Sequence, residues 1–161
     1  MKKILLSCSM VAMLATAAFA QQGSFKDARD GQTYKTVKIG NQVWMAKNLN
    51  YRIKNGSMCF EGVGSNCKKY GHLYTWEAAL NACPSGWRLP SKEDFDKLLA
   101  IAGKDNEERF KNLLSSSENR GKDKFGFSVL RGGTYEGDSD QFFGWETDAY
   151  FWSSTDDSRN G

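Results

Sequence analysis

The start of the chain limits what the rest can use to hold a fold. Lys2 and Lys3 give a basic opening, Ile4 to Phe19 is an uncharged apolar run, and Ala18-Phe19-Ala20 places small residues before Gln21. This is the layout of a secretory signal peptide, too short and wrongly flanked for a membrane-spanning helix. Export would carry Cys59, Cys67 and Cys83 into an oxidising compartment, where cysteines read as disulfide material and not as catalytic thiols. A second reading takes Leu5-Leu6-Ser7-Cys8 as the box before a lipid-modified cysteine. The residues ahead of Cys8 are too few for an apolar segment, so cleavage after Ala20 is the expectation and a Cys8 anchor the alternative.

Cleavage there leaves about 140 residues, enough for one core, and the sequence shows no linker, repeat or low-complexity tract from Phe25 to Gly161. The formal charge of +3 falls to about +1 once Lys2 and Lys3 are gone. That balance gives no electrostatic case for nucleic acid or for an anionic membrane. Five Trp, six Tyr and all but one of ten Phe lie beyond the leader. Large rings would then supply the burial that aliphatic residues supply elsewhere.

Local signals give an α+β domain. Gln32 to Ile39 and Gln42 to Lys47 are β-prone and flank Gly40-Asn41, which predicts a hairpin. Asn55-Gly56-Ser57 and Gly62 to Asn66 are turn-rich and bracket Cys59 and Cys67. A bridge between these two cysteines contributes about 2.5 kcal/mol in the chain-entropy model. A metal pair is the alternative, but the spacing is not C-x-x-C and His72 is the only histidine. Thr75 caps a helix to Ala82. Ser91-Lys92-Glu93-Asp94 is a capping box for a second helix, with Phe95, Leu98, Leu99 and Ala102 at helical spacing. Asn106 to Leu114 predicts a third, with Phe110, Leu113 and Leu114 inward. Phe125 to Leu130 and Tyr150 to Ser154 read as aromatic strands, with Gly132-Gly133 as a strand bend.

Several blocks, taken in order, resemble one family. They are Asp30-Gly31-Gln32-Thr33-Tyr34 with Ile39 to Tyr51; Tyr70-Gly71-His72-Leu73-Tyr74-Thr75-Trp76-Glu77-Ala78-Ala79; Ala82-Cys83-Pro84-Ser85-Gly86-Trp87-Arg88-Leu89-Pro90-Ser91; Phe125-Gly126-Phe127-Ser128 with Gly132-Gly133; and Phe151-Trp152-Ser153-Ser154-Thr155. From about residue 27 to 155 the chain resembles the Fibrobacter succinogenes major paralogous domain. The resemblance implies an extracytoplasmic module of C-type-lectin-like fold, with an N-terminal hairpin, two to three short helices and a small aromatic-rich antiparallel sheet. It carries no activity with it. Family members continue past the Trp-Ser-Ser-Thr block to a closing Ser-Val-Arg-Cys segment, whereas this sequence stops at Gly161. The resemblance therefore implies missing last strands and leaves Cys83 as an unpaired cysteine, in a chain that is marginally stable or completed by a partner.

Motifs for chemistry are absent: no Gly-x-Ser-x-Gly, no His-Glu-x-x-His and no phosphate-binding loop occurs. His72, a lone histidine beside aromatics, reads as a strand or surface residue. Glu93, Asp94, Asp96, Glu107 and Glu108 fall on exposed helix faces by period. Glu136, Asp138, Asp140, Glu146 and Asp148 offer the oxygen ligands calcium takes, but the Glu-Pro-Asn or Gln-Pro-Asp signature of calcium-dependent sugar-binding lectins is missing. A solvated acidic loop is the expectation, with no cofactor. In the same stretch Tyr135, Trp145 and Tyr150 are candidates for a ligand face, Trp145 as the most exposed. The leading reading is a secreted, non-catalytic module binding polysaccharide or a surface protein. The alternatives are a carboxylate-dependent hydrolytic or modifying enzyme on the same fold, or a truncated copy without function. Two carboxyls converging in a pocket would favour the enzyme; an aromatic strip would favour the binder.

Overall fold

The computed structural model describes residues 21–156. The leader, with its Ala18-Phe19-Ala20 exit and Cys8, lies outside them, as do residues 157–161. The hairpin is present: β2 (Thr33–Ile39) and β3 (Gln42–Met45) pair antiparallel around Gly40, which takes φ 61° in the turn. β1 (Gln21–Lys26) adds a third strand in the order β1-β2-β3, so β2 is central. Gln-Gln-Gly-Ser-Phe-Lys has no apolar alternation, so this strand gave no signal of its own. The central strand is covered on both faces. Val37 and Ile39 point into the main core, while Tyr34, 0% exposed, faces the other way. There its ring stacks on Phe25, which stacks in turn on Trp87, and its hydroxyl accepts the Asn50 N–H.

Capping residues at Thr75 and Ser91 start two helices where the sequence predicts. α2 (Trp76–Ala82) starts at Thr75, whose side chain accepts the Ala78 N–H. α3 (Lys92–Ala102) carries the full capping box between Ser91 and Asp94, and Asp105 caps α4 (Asn106–Leu113). α3 and α4 pack on the sheet through Leu98, Ala102 and Leu113, which join Val37, Ile39, Trp44 and Phe127 in the core. Buried Asn112 donates to the Ala102 carbonyl, satisfying an acceptor at the end of α3.

Four local expectations are corrected. Phe110 is 44% exposed, not inward, because α4 turns the face carrying Asn112 and Leu113 to the core and Phe110 lies off that face. Phe125 to Leu130 is a loop with a single bridge, Leu114 to Val129, since Gly126 (φ 70°) and Ser128 (φ 60°) break the extended run. Tyr150 to Ser154 joins no strand and ends in a bend at Ser154. The acidic stretch is instead the hairpin β6 (Gly132–Glu136) and β7 (Gln141–Trp145).

From within the second turn-rich segment the chain makes a short helix, α1 (Gly64–Tyr70), where Gly64, Ser65 and Asn66 signalled only a turn. β4 (Ser57–Met58) and β5 (Leu73–Tyr74) pair antiparallel beside it. The Cys59–Cys67 disulfide joins the residue that follows β4 to α1, with Cα atoms 5.0 Å apart. The whole is α+β, with one three-stranded and two two-stranded antiparallel sheets among the described residues. None of the described helices is long and apolar enough to cross a membrane.

Candidate binding cleft

A cleft of about 1040 Å³ lies where β3, the β4–β5 pair, the Phe127 loop and residues 149–152 meet. It is at the upper end of the size range of small-molecule sites. Trp44, Tyr74, Phe127, Tyr150, Phe151 and Trp152 are among the aromatic residues that line it. The last three are consecutive and exposed, at 59%, 47% and 50%.

Their position is fixed even though they belong to no strand. Trp152 Nε1 donates to the Tyr74 carbonyl at 2.7 Å, and Trp76 Nε1 donates to the Ser153 carbonyl at 3.0 Å. Phe151 leans towards Phe95 and Phe127. Three adjacent rings cannot all face one core from an extended chain, whose side chains alternate sides. That was the signal in the sequence for an exposed aromatic edge including Trp152.

Of the three ring candidates, the structure brings Tyr135 and Tyr150 to the cleft and takes Trp145 away from it. Trp145 is half-buried, its ring 4.4 Å from Phe60 and 4.6 Å from Tyr70. Its flanking residues, Gly144 and Glu146, suggested exposure, but β7 turns the indole towards α1. Tyr135 packs on Phe142 and donates its hydroxyl to Asp140.

Polar groups at the cleft are few. The one carboxylate in the lining is Asp94. It is 8% exposed, not on an open helix face, because the Arg88-Leu89-Pro90 turn folds the Arg88 guanidinium back onto it. Asp94 also accepts the Ser91 N–H and a Gln42 amide N–H. The Arg88 guanidinium and then the Ser91 N–H hold its carboxyl well below the usual carboxylate range. At neutral pH Asp94 has no proton to donate.

Two buried polar atoms bordering the cleft have no partner: Trp44 Nε1 and Gln42 Oε1. Leaving a buried donor or acceptor unpaired costs about 1–3 kcal/mol. Cys83 also borders the cleft as a half-buried free thiol, which burial pushes up from its ordinary pKa, so little thiolate is present at neutral pH. His72 is half-buried at the same cleft. Burial first, and then the Arg52 charge, lower its pKa and keep the imidazole neutral.

The acidic residues named for calcium spread along the β6–β7 hairpin and beyond it. Asp140 accepts the Tyr135 hydroxyl and Asp148 the Thr147 hydroxyl. Among the described residues, no three of these carboxylates gather within reach of one ion.

An α+β module with an open aromatic cleft and a single, already paired carboxylate is the class of protein that fold and site define. This chain belongs to the Fibrobacter succinogenes major domain family, whose profile matches residues 37–161. No curated protein matches it, and no solved structure does.

Proposed function

We propose that this chain is an exported, non-catalytic binding module with a C-type-lectin-like fold, and that its cleft takes a polysaccharide. The observation that carries this reading is the run Tyr150-Phe151-Trp152, three exposed rings held at the lip of the cleft. Aromatic faces present large, stiff apolar surface at low entropic cost, and a sugar ring offers a matching face of C–H groups with hydroxyls at its edge. The order hairpin, α2, Cys83, Gly86 to Leu89, capping box, α3 supports the lectin-like fold. Export is supported by the leader and by the closed Cys59–Cys67 bridge, which persists best outside a reducing cytosol.

The carboxylate-pair enzyme is disfavoured because such hydrolysis needs two carboxyl groups flanking the bond. The cleft lining holds only Asp94, which Arg88 occupies. The test is a glycan array on the full chain beside Trp152→Ala, with a pull-down on cell-surface proteins as a second arm. Retention of a glycan by the parent and its loss in Trp152→Ala is the expected result. Capture of a surface protein with no glycan retained would replace the sugar with a protein ligand, and equal glycan retention by both chains would overturn the site.

A further inference from the structure

The chain's only histidine lies beside the Cys59–Cys67 disulfide, and the β4–β5 register is the reason. Ser57 pairs with Tyr74 and Met58 with Leu73, so one further step sets Cys59 opposite His72. Cys67 reaches the same spot from α1. The two sulfurs and a ring nitrogen of His72 all lie within 4.8 Å of one another.

The imidazole is prepared for a ligand role by a hydrogen-bond chain with one allowed direction. Asp30 is acceptor-only, so the Gln32 amide nitrogen faces it, at 2.7 Å. The Gln32 carbonyl oxygen therefore accepts from the Asn50 amide at 3.2 Å. That leaves the Asn50 oxygen towards His72 Nδ1, at 2.8 Å. Nδ1 must carry the proton, and the lone pair is left on Nε2. A neutral histidine whose other nitrogen donates to a fixed oxygen is the arrangement that supports metal-ligating imidazoles.

We propose that Cys59, Cys67 and His72 form a redox-gated site for a borderline-soft divalent cation, zinc(II), closed while the disulfide is intact. A dithiol reductant transfers two electrons to the Cys59–Cys67 bond and is itself oxidised to a disulfide. The two protons it gives up end on the separated thiols. Zinc(II) then displaces both thiol protons and takes two thiolates and the His72 nitrogen, with water as the fourth ligand, a set that zinc accepts. His72 borders the cleft, which supplies a path for the ion. This goes beyond polysaccharide binding and does not depend on it.

The test uses the full chain carrying Cys8→Ser and Cys83→Ser, so that only the pair supplies thiols. It is reduced with a phosphine and titrated with zinc(II) against a chromophoric chelator, and with cobalt(II) as a coloured stand-in. One ion per reduced chain, release of two protons, a thiolate-to-cobalt absorption band and no uptake by the oxidised chain are expected. Asn50→Ala should weaken the site about tenfold or more, and His72→Ala by more than that. Absence of zinc uptake by the reduced chain, or equal affinity in His72→Ala, overturns the site. If reduction unfolds the chain by circular dichroism, zinc must restore the folded spectrum in the parent and not in His72→Ala. A chain left unfolded by zinc refutes it.

Discussion

Gly133 and Gly62 make a matched pair for measuring how tightly the β6–β7 hairpin sits on the disulfide-bearing segment. Both have positive φ, 70° and 69°, so alanine at either meets the same backbone cost of about 1 kcal/mol. Around Gly62 a new Cβ meets nothing within 4 Å. At Gly133 it would stand 2.5 Å from the Phe143 carbonyl oxygen and 2.6 Å from the Phe60 ring. Neither neighbour has room to yield. The carbonyl belongs to the paired strand, and Phe60, 5% exposed, is wedged against Phe142 and Trp145. Overpacking of this kind costs about 1–3 kcal/mol. Gly133→Ala should therefore lose about 3 kcal/mol and Gly62→Ala about 1 kcal/mol. With a urea slope near 2 kcal/mol per molar, the two variants should differ by about 1 M in midpoint, with slopes unchanged. Midpoints that coincide would show that the hairpin does not press on Phe60 and that the aromatic cluster is loose.

Three other outcomes follow from the same structure. Replacing Cys59 and Cys67 by serine should lower stability by about 2.5 kcal/mol, read as a lower urea midpoint, whereas Cys83→Ser should change it little because Cys83 makes no bridge. Asp94 and Asp27 are both held below the ordinary carboxylate pKa, by Arg88 and Arg29 respectively, so their stabilisation is complete above about pH 4 and drains away as pH falls through the lowered folded values. The melting temperature should thus fall less steeply between pH 5 and 2 in Asp94→Asn than in the parent, and parallel slopes would refute the pairing. Cys83 should react slowly with iodoacetamide at neutral pH and faster as pH rises, its thiol being half-buried and pushed up by burial.

What could be read in the sequence was what neighbours along the chain decide. The β2–β3 hairpin and the caps at Thr75 and Ser91 rest on contacts a few residues apart, and the structure places them where their signals lie. The Cys59–Cys67 bridge was legible for the same reason. What was hidden depends on partners far off in the chain. Asp94 looks like an exposed helix acid until a turn returns Arg88 to it. Trp145 looks exposed between Gly144 and Glu146 until Phe60 and Tyr70 arrive from the disulfide-bearing segment. His72 gave no sign of lying beside Cys59 and Cys67, because a two-residue strand pairing sets that meeting. The cleft itself was not legible, since a concavity is made by elements that do not adjoin in sequence.

The two indole clamps, Trp76 to Ser153 and Trp152 to Tyr74, join positions 77 and 78 residues apart. Closing so long a loop costs about 2 kcal/mol more than closing the loop of the disulfide. These clamps should therefore form late, after the hairpin and helices have shortened the path between their ends. During synthesis the lip of the cleft cannot assemble until nearly all of the described chain has emerged. Quenching or spectral shift of the indoles would then report the final step of maturation, separately from the earlier gain of helix.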